Sequence, residues 1–324
     1  MAESTGGAPA RAIRVGTSAC LLGSQVRFDG GHKRERFLTE GLAPFFEFVS
    51  VCPEVESGLS IPRPTLRLVG AEDDPRLVFG ESGEEYTPQL RAWAKAKLDA
   101  LAELDLCGFV LKSDSPSCGM ERVKVYNDKG MASKKGRGIF AAALMARFPL
   151  LPVEEEGRLN DAKLRETFVE SVFAYRRWRD LLEVGLTLPR IVDFHRVHKY
   201  LLLAHSPEHY ASLGRLVAGA KKLSKGELAE SYGRGFMEAM GKNASRGRHY
   251  NVLQHMAGYF KDELDAPSRE ELHQTLDDYR AGLVPLVVPI TLIRHHVRVR
   301  EVGYLRDQVY LAPHPKELML RNHV

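Results

Sequence analysis

Cysteine is scarce in this chain, with four among 324 residues. That is too few for a disulfide framework at this length. No two of them form the close Cys-x-x-Cys pair that a structural zinc site often supplies. No apolar run approaches the roughly 20 residues that cross a bilayer. The first residues, Met1–Ala10, are small and polar and lack the apolar core of a signal peptide. They read as a tail, and the chain reads as cytoplasmic with no membrane partner. The first half holds a single histidine, His32. The rest is ordinary for a soluble protein, 44% hydrophobic and 27% charged, and long enough for two domains.

The net charge of +4 is unevenly spread. Lys and Arg number 20 before residue 155 and 26 from there on, against 20 and 22 for Asp and Glu. The whole excess therefore lies in the second half, together with eleven of the twelve histidines. Taken alone, such a bias describes many solvated faces.

In the first half, apolar runs at Ile13–Ala19, Phe45–Val51 and Phe109–Leu111 read as core strands, with Leu150–Val153 as a last one. Leu77–Phe79 and Val123–Tyr126 read as short or edge strands. Helices are expected at Lys33–Leu42, Thr87–Leu104 and Ile139–Arg147, the second with Thr87 as N-cap and Pro88 at the first helical position. This alternation predicts an α/β fold: a Rossmann-like parallel sheet with helices on both faces, over residues 11–155. In such sheets ligands bind beyond the carboxyl ends of the strands.

Three cysteines fall at that edge. Cys20, Cys52 and Cys118 each follow a core strand, and Cys118 closes the turn Lys112-Ser113-Asp114-Ser115-Pro116-Ser117-Cys118-Gly119. Cys107 precedes the third strand, roughly 15 Å toward the opposite edge at about 3.3 Å per residue, and reads as a small buried hydrophobe. The three thiols admit several readings: unrelated core cysteines, a structural zinc site, a single nucleophile with a histidine base, or an iron–sulfur cluster. Zinc lacks an obvious fourth ligand, and a nucleophile needs neither three thiols nor a distant histidine. A cluster leads, because three thiolates leave one iron with an open position for a substrate atom.

The motifs Ser18-Ala19-Cys20-Leu21-Leu22-Gly23, Arg27-Phe28-Asp29-Gly30-Gly31, Val51-Cys52-Pro53-Glu54 and Lys112 to Gly119 together resemble the thiouracil desulfurase family, over about residues 11 to 155. The resemblance implies a [4Fe-4S] cluster held by Cys20, Cys52 and Cys118. It also implies removal of sulfur from a thiolated pyrimidine, as sulfide, without net redox change. A thiocarbonyl sulfur is soft and suits iron, and binding it would draw electrons from the adjacent carbon so that water can add. Glu54, two residues after Cys52, is placed as general base or acid. On the family pattern Ser115 stands above its neighbours Ser113 and Ser117 as a donor to the pyrimidine or the developing charge. Asp29 is a further candidate, although Asp-Gly-Gly is equally what a structural turn requires. Lys135 and Arg137, in Lys134-Lys135-Gly136-Arg137-Gly138 before a helix, form a candidate phosphate cradle.

After a short linker the pattern changes to long helices, predicting an all-α domain over residues 160–324. Asn160 is the expected cap of a helix reaching Glu183, and one helix is expected from Pro189 through Leu202. Ser206 is expected to cap the next helix, and Ser224 with Glu227 and Ser268 with Glu271 fit capping boxes. His195 and His198 share a helix face, but no acidic partner is placed to complete a metal site, so packing is the expected role. Basic residues cluster at Arg190–Lys199, Lys242–Tyr250 and Arg294–Arg300. The middle cluster, with Lys242, Arg246 and Arg248, suits a phosphate backbone. The segments His195–Tyr210 and Arg246–Phe260 resemble a helical domain fused behind desulfurase domains, the two-domain form of tRNA 4-thiouridine desulfidases. That resemblance implies that the helical half holds tRNA while the cluster converts 4-thiouridine to uridine. Two other readings are desulfuration of free thiouracil or thionucleosides, with the helical half used for oligomerisation, and a non-catalytic iron–sulfur RNA-binding regulator. A regulator needs no proton-transfer group such as Glu54 beside an open iron.

Overall fold

A computed structural model describes residues 12–323, so the expected tail Met1–Ala10 lies outside the described residues. The chain falls into two compact units that divide between Arg158 and Leu159. No helix among the described residues is long and apolar enough to cross a membrane.

The first unit runs β1 (Ile13–Ser18), β2 (Phe46–Val51), α1 (Pro53–Glu56), β3 (Leu66–Gly70), β4 (Pro75–Phe79), α2 (Thr87–Ala102), β5 (Leu106–Leu111), β6 (Val123–Tyr126), β7 (Ala132–Gly136), α3 (Ile139–Arg147) and β8 (Val153–Glu155). Single helical turns lie at Ala19–Leu22 and Phe37–Leu42. The α/β fold is the one expected. β2, β1, β5 and β8 form a parallel sheet in that order. All six residues of β5 are buried, which explains its unbroken apolar run. Cys107 lies inside β5 rather than before it, fully buried at the end opposite Leu111. Gly16 leaves room for the ring of Phe109, its register partner on the neighbouring strand β5, because a Cβ there would meet that ring at 2.2 Å.

A second sheet was not anticipated. It has the order β4-β3-β6-β7, with β3–β4 and β6–β7 antiparallel and β3–β6 parallel. β7 reads Ala-Ser-Lys-Lys-Gly, a poor strand by propensity, and is extended because it pairs with β6. Leu68, Leu77, Leu90, Val123, Val125 and Ile139 form the apolar cluster beneath this sheet. Thr87 is not the cap of α2. Its hydroxyl accepts the Leu77 N–H at 2.8 Å and so ties α2 to β4, while Tyr86 takes the capping position.

α3 has a position that matters for the site. Phe140 packs against Trp93 of α2 and Phe109 of β5, with ring centroids 5.5 and 5.9 Å away. This brings the start of α3 onto the loop after β5. Ile139 N–H donates to Pro116 O at 3.1 Å, and Phe140 and Ala141 N–H donate to Ser117 O at 3.0 and 3.2 Å. Gly138 makes this approach possible, since a Cβ there would meet the carbonyl carbon and oxygen of Ser117 at 2.6 Å.

The second unit is helical throughout its described residues: α4 (Ala162–Val184), α5 (Leu188–Val197), α6 (Lys199–His205), α7 (Pro207–Ala218), α8 (Lys225–Met240), α9 (Arg246–Ala257), α10 (Ala266–Ala281), α11 (Val287–Val299) and α12 (Gly303–Arg306), with short helical turns between and after them. Ser206 caps α7, and Ser224 with Glu227 forms both halves of a capping box on α8. Two caps differ from the sequence reading. Asp161, not Asn160, accepts the first N–H groups of α4, and Asp265 accepts the Ser268 N–H at 2.8 Å, so Ser268 lies inside α10. The single helix expected from Pro189 is two, broken at His198, whose ring Nδ1 turns back to Phe194 O at 2.7 Å.

Gly138→Ala should push the loop carrying Ser117 and Cys118 off α3. Denaturant unfolding should show a loss of roughly 1–3 kcal/mol, typical of overpacking a tight contact. An unchanged midpoint would mean that the loop moves without cost.

Candidate active site

The register of the parallel sheet sets the site. Ser18 of β1 is level with Val51 of β2, and β5 ends beside β8 with Leu111 level with Glu155. The chain therefore leaves three neighbouring strands at one edge, and a cavity of about 360 Å³ opens there. Cys20, Cys52 and Cys118 all line it, with Glu54, Ser113, Asp114, Ser115 and Ser117. Cys20 sits in the helical turn after β1 and Cys52 at the N-cap of α1, where its side chain makes no capping bond. The N–H of Cys118 is held by Ser115 Oγ at 3.1 Å.

All three thiols have raised pKa values. Burial pushes Cys20 up to about 11, with Cys52 adding to the rise. Burial also lifts Cys52, and lifts Cys118 the most, with Glu54 and the other two cysteines adding. Each thiolate is thus costly to form unless a positively charged group joins it. Among the described residues no three His, Cys, Asp or Glu side chains converge closely enough to hold a single metal ion as they stand. A cluster would take each thiolate on a separate iron, so its ligands would not need to meet at a point. Three soft sulfur donors around one cavity fit that group.

Next to the thiols runs a hydrogen-bonded line. Arg63, almost fully buried, donates Nη2 and Nε to Glu54 Oε2 at 2.6 and 3.0 Å. Arg63 is itself held by the carbonyls of Val26 and Ser60 at 2.9 and 3.3 Å. The other oxygen, Glu54 Oε1, accepts the Ser117 hydroxyl at 2.5 Å. Ser117 Oγ lies 3.0 Å from Ser115 Oγ. Ser115 accepts the N–H groups of Ser117 and Cys118, so its own proton is free to point at Ser117. The line Ser115, Ser117, Glu54 can pass a proton, and it is Ser117, not Ser115, that touches the carboxylate.

The remaining sequence candidates separate. Ser113 lines the cavity, but Glu156 Oε1 accepts its hydroxyl at 2.8 Å, and Lys112 Nζ donates to Glu156 Oε1 at 2.5 Å. These bonds anchor the loop to the end of β8. Asp29 lies outside the cavity and makes the structural turn, accepting the Gly31 N–H at 3.0 Å, which also holds its carboxyl below the usual range. Lys135 is on β7 and Arg137 donates to Met120 O at 2.9 Å, and neither lines the cavity. The phosphate cradle fails because the first N–H groups of α3 are already taken by the Pro116 and Ser117 carbonyls. In the second unit the basic segment Lys242–Tyr250 is a loop only as far as Ser245. Ser245 caps α9, which Arg246 begins, and Arg248 donates to the His205 carbonyl. Lys242 and Arg246 keep cationic groups without a bond among the described residues. His195 stacks on Tyr210 and its Nδ1 meets Tyr232 Oη at 3.1 Å, while burial lowers His198 to about 3. Both are packing residues.

Arg63, Lys112 and Glu156 went unmarked in the sequence. Nothing local in the sequence pairs Arg63 with Glu54.

Residues 15–156 match the family described as 2-thiouracil desulfurase, and residues 199–315 match one described as a protein of unknown function, DUF1722. The chain is 30% identical over 151 residues to the uncharacterized protein YbbK of Bacillus subtilis (strain 168), across 44% of this chain and 96% of that protein. It is 29% identical over 165 residues to the uncharacterized protein YbgA of Escherichia coli (strain K12), across 51% of this chain and 98% of that protein. A solved structure described as the [4Fe-4S]-dependent thiouracil desulfidase TudS is 31% identical, with 46% of this chain and 94% of that chain covered and a TM-score of 0.38. The chain belongs to the 2-thiouracil desulfurase family.

Arg63→Met should leave the Glu54 carboxylate unpaired and destabilise the protein by roughly 3 kcal/mol. Adding Glu54→Gln should restore part of that loss in a denaturation double-mutant cycle. Additive losses would show that the two side chains do not depend on each other.

Proposed function

We propose that the chain removes sulfur from a thiolated uridine in tRNA, converting 4-thiouridine to uridine, with Cys20, Cys52 and Cys118 holding a [4Fe-4S] cluster. The observation that carries this reading is one cavity lined by three thiols, those of Cys20 and Cys118 buried and that of Cys52 half-buried, together with the Glu54–Ser117 pair. When bound, the cluster supplies an open iron, a soft Lewis acid for the thiocarbonyl sulfur. In the net reaction water replaces sulfur at that carbon: a C=O bond forms, the C=S bond breaks, and both protons of the water leave in hydrogen sulfide. No electron is gained or lost.

The chain's own residues serve proton movement and placement. Arg63 fixes Glu54 Oε2, which leaves Oε1 to take the proton of the attacking water. Ser117 and Ser115 link that oxygen to the rest of the loop and can return the proton toward the departing sulfur. Phe28, 38% exposed, stands at the cavity as a flat partner for a pyrimidine ring. Lys33, also lining the cavity, carries an ammonium with no bond among the described residues and suits a nucleotide phosphate. The basic excess of the second half, with Lys242 and Arg246 unpaired at the start of α9, supports RNA as the carrier. The family description favours a second reading, free thiouracil as substrate. A regulator has less support, because Glu54 is held in place by a buried arginine beside the thiols.

Protein purified without oxygen should be brown and hold about four irons. Incubated with bulk tRNA, it should deplete 4-thiouridine in nucleoside analysis. Loss of sulfur from free 2-thiouracil alone would select the second reading, and no turnover of either would remove the enzyme reading. Glu54→Gln should keep its iron and lose at least about 100-fold in turnover. Wild-type rates in that variant would take Glu54 out of the chemistry.

A further inference from the structure

The helical unit contains a separate cavity of about 270 Å³. Its floor is formed by Glu166 and Glu170 of α4, and His205, His249 and Tyr279 reach it from α6, α9 and α10. Lys163 and Arg246 line it and are exposed to solvent.

The two carboxylates on the floor are already matched. Glu170 Oε1 accepts Arg321 Nη2 at 2.6 Å and Nε at 3.2 Å, and its Oε2 meets His205 Nε2 at 2.8 Å. Glu166 Oε1 accepts Arg321 Nε at 3.3 Å, and its Oε2 meets His323 Nε2 at 2.8 Å. They are not available to ligate a cation.

Four polar groups around the same cavity have no hydrogen-bond partner among the described residues: the Lys163 ammonium, the Arg246 guanidinium, the Tyr279 hydroxyl and His249 Nε2. His249 Nδ1 is engaged with Tyr310 Oη at 2.9 Å, which orients the ring. Glu166 and Glu170 are answered by Arg321 below the cavity and by His205 and His323, so the lining cations Lys163 and Arg246, with only the exposed N-cap carboxylate Asp161 near Lys163, are left for a ligand. Lys163 and Arg246 also lie in the first turns of α4 and α9, whose helix dipoles favour negative charge.

We propose that this cavity binds a phosphate group, with Lys163, Arg246 and Tyr279 donating to its oxygens and His249 beside it. The volume exceeds that of one tetrahedral oxyanion and leaves room for the organic part of a phosphate ester, which the proposal takes to be a nucleotide, either free or within an RNA strand. The RNA form of the proposal deepens the tRNA reading, which already gives Arg246 to RNA, but the site lies in the second unit and its test needs no iron, so its failure would leave desulfuration untouched.

The test is titration of the full-length protein, by calorimetry at low salt, with inorganic phosphate, with uridine 5′-monophosphate and with a short single-stranded RNA lacking a terminal phosphate. Lys163→Ala and Arg246→Ala are compared with the wild type, each checked for an unchanged melting temperature. Binding of either nucleotide probe that phosphate displaces, weakened about tenfold or more in each variant, is the expected result. Preference for the monophosphate then identifies a free nucleotide, and preference for the oligomer identifies RNA. No binding of any probe at millimolar concentration overturns the proposal. So does binding that both variants leave intact, which would place the ligand elsewhere.

Discussion

The first turn of α3 against two carbonyl groups is the contact on which the candidate site depends. The opening N–H groups of a helix have no partner within it. In α3 those of Ile139, Phe140 and Ala141 go to Pro116 and Ser117. The loop after β5 is therefore held by its backbone, and its side chains are left for other work. Ser117 can give its hydroxyl to Glu54, and Cys118 can present its sulfur beside Cys20 and Cys52. The same contact uses up the positive end of the helix, so no phosphate can take that place.

Charge in this site is matched locally except at sulfur. Arg63 is paired with Glu54, and Lys112 with Glu156. Each pair is largely withdrawn from water, where an unpaired charge would be costly. At the three thiols burial outweighs the nearby cations, Lys112 and Arg27 at Cys20 and Arg63 at Cys52, and raises all of them. A site that can afford its ionised acids and bases but not its thiolates is one built to receive a positively charged, sulfur-seeking group.

The second unit handles buried charge in a different way. Glu166, Glu170, Arg321 and His205 form one network that ties α4 to the end of α6 and to Arg321, more than 150 positions beyond Glu166. It neutralises the floor of a cavity whose rim cations stay unpaired. The histidines of this unit are spent on packing and on the network, with His198 stacked on Phe194 at 4.0 Å and His205 bonded at both ring nitrogens.

Much of the fold was legible because its signals are local. The apolar run of β5, the span of α3 and the caps of α7 and α8 each depend on neighbours in sequence. Placing Cys20, Cys52 and Cys118 at one sheet edge followed from strand ends alone. What sequence could not reveal depends on pairing at a distance. β7 is a strand only because β6 lies beside it, and Asp161 and Asp265 capped where Asn160 and Ser268 were equally good by type. The sequence by itself determined the set of thiols and the carboxylate two residues past Cys52. The tertiary structure alone decided which serine meets that carboxylate and which arginine holds it. Those choices turn on distances of 2.5 and 2.6 Å between residues 63 and 9 positions apart, which no local pattern encodes.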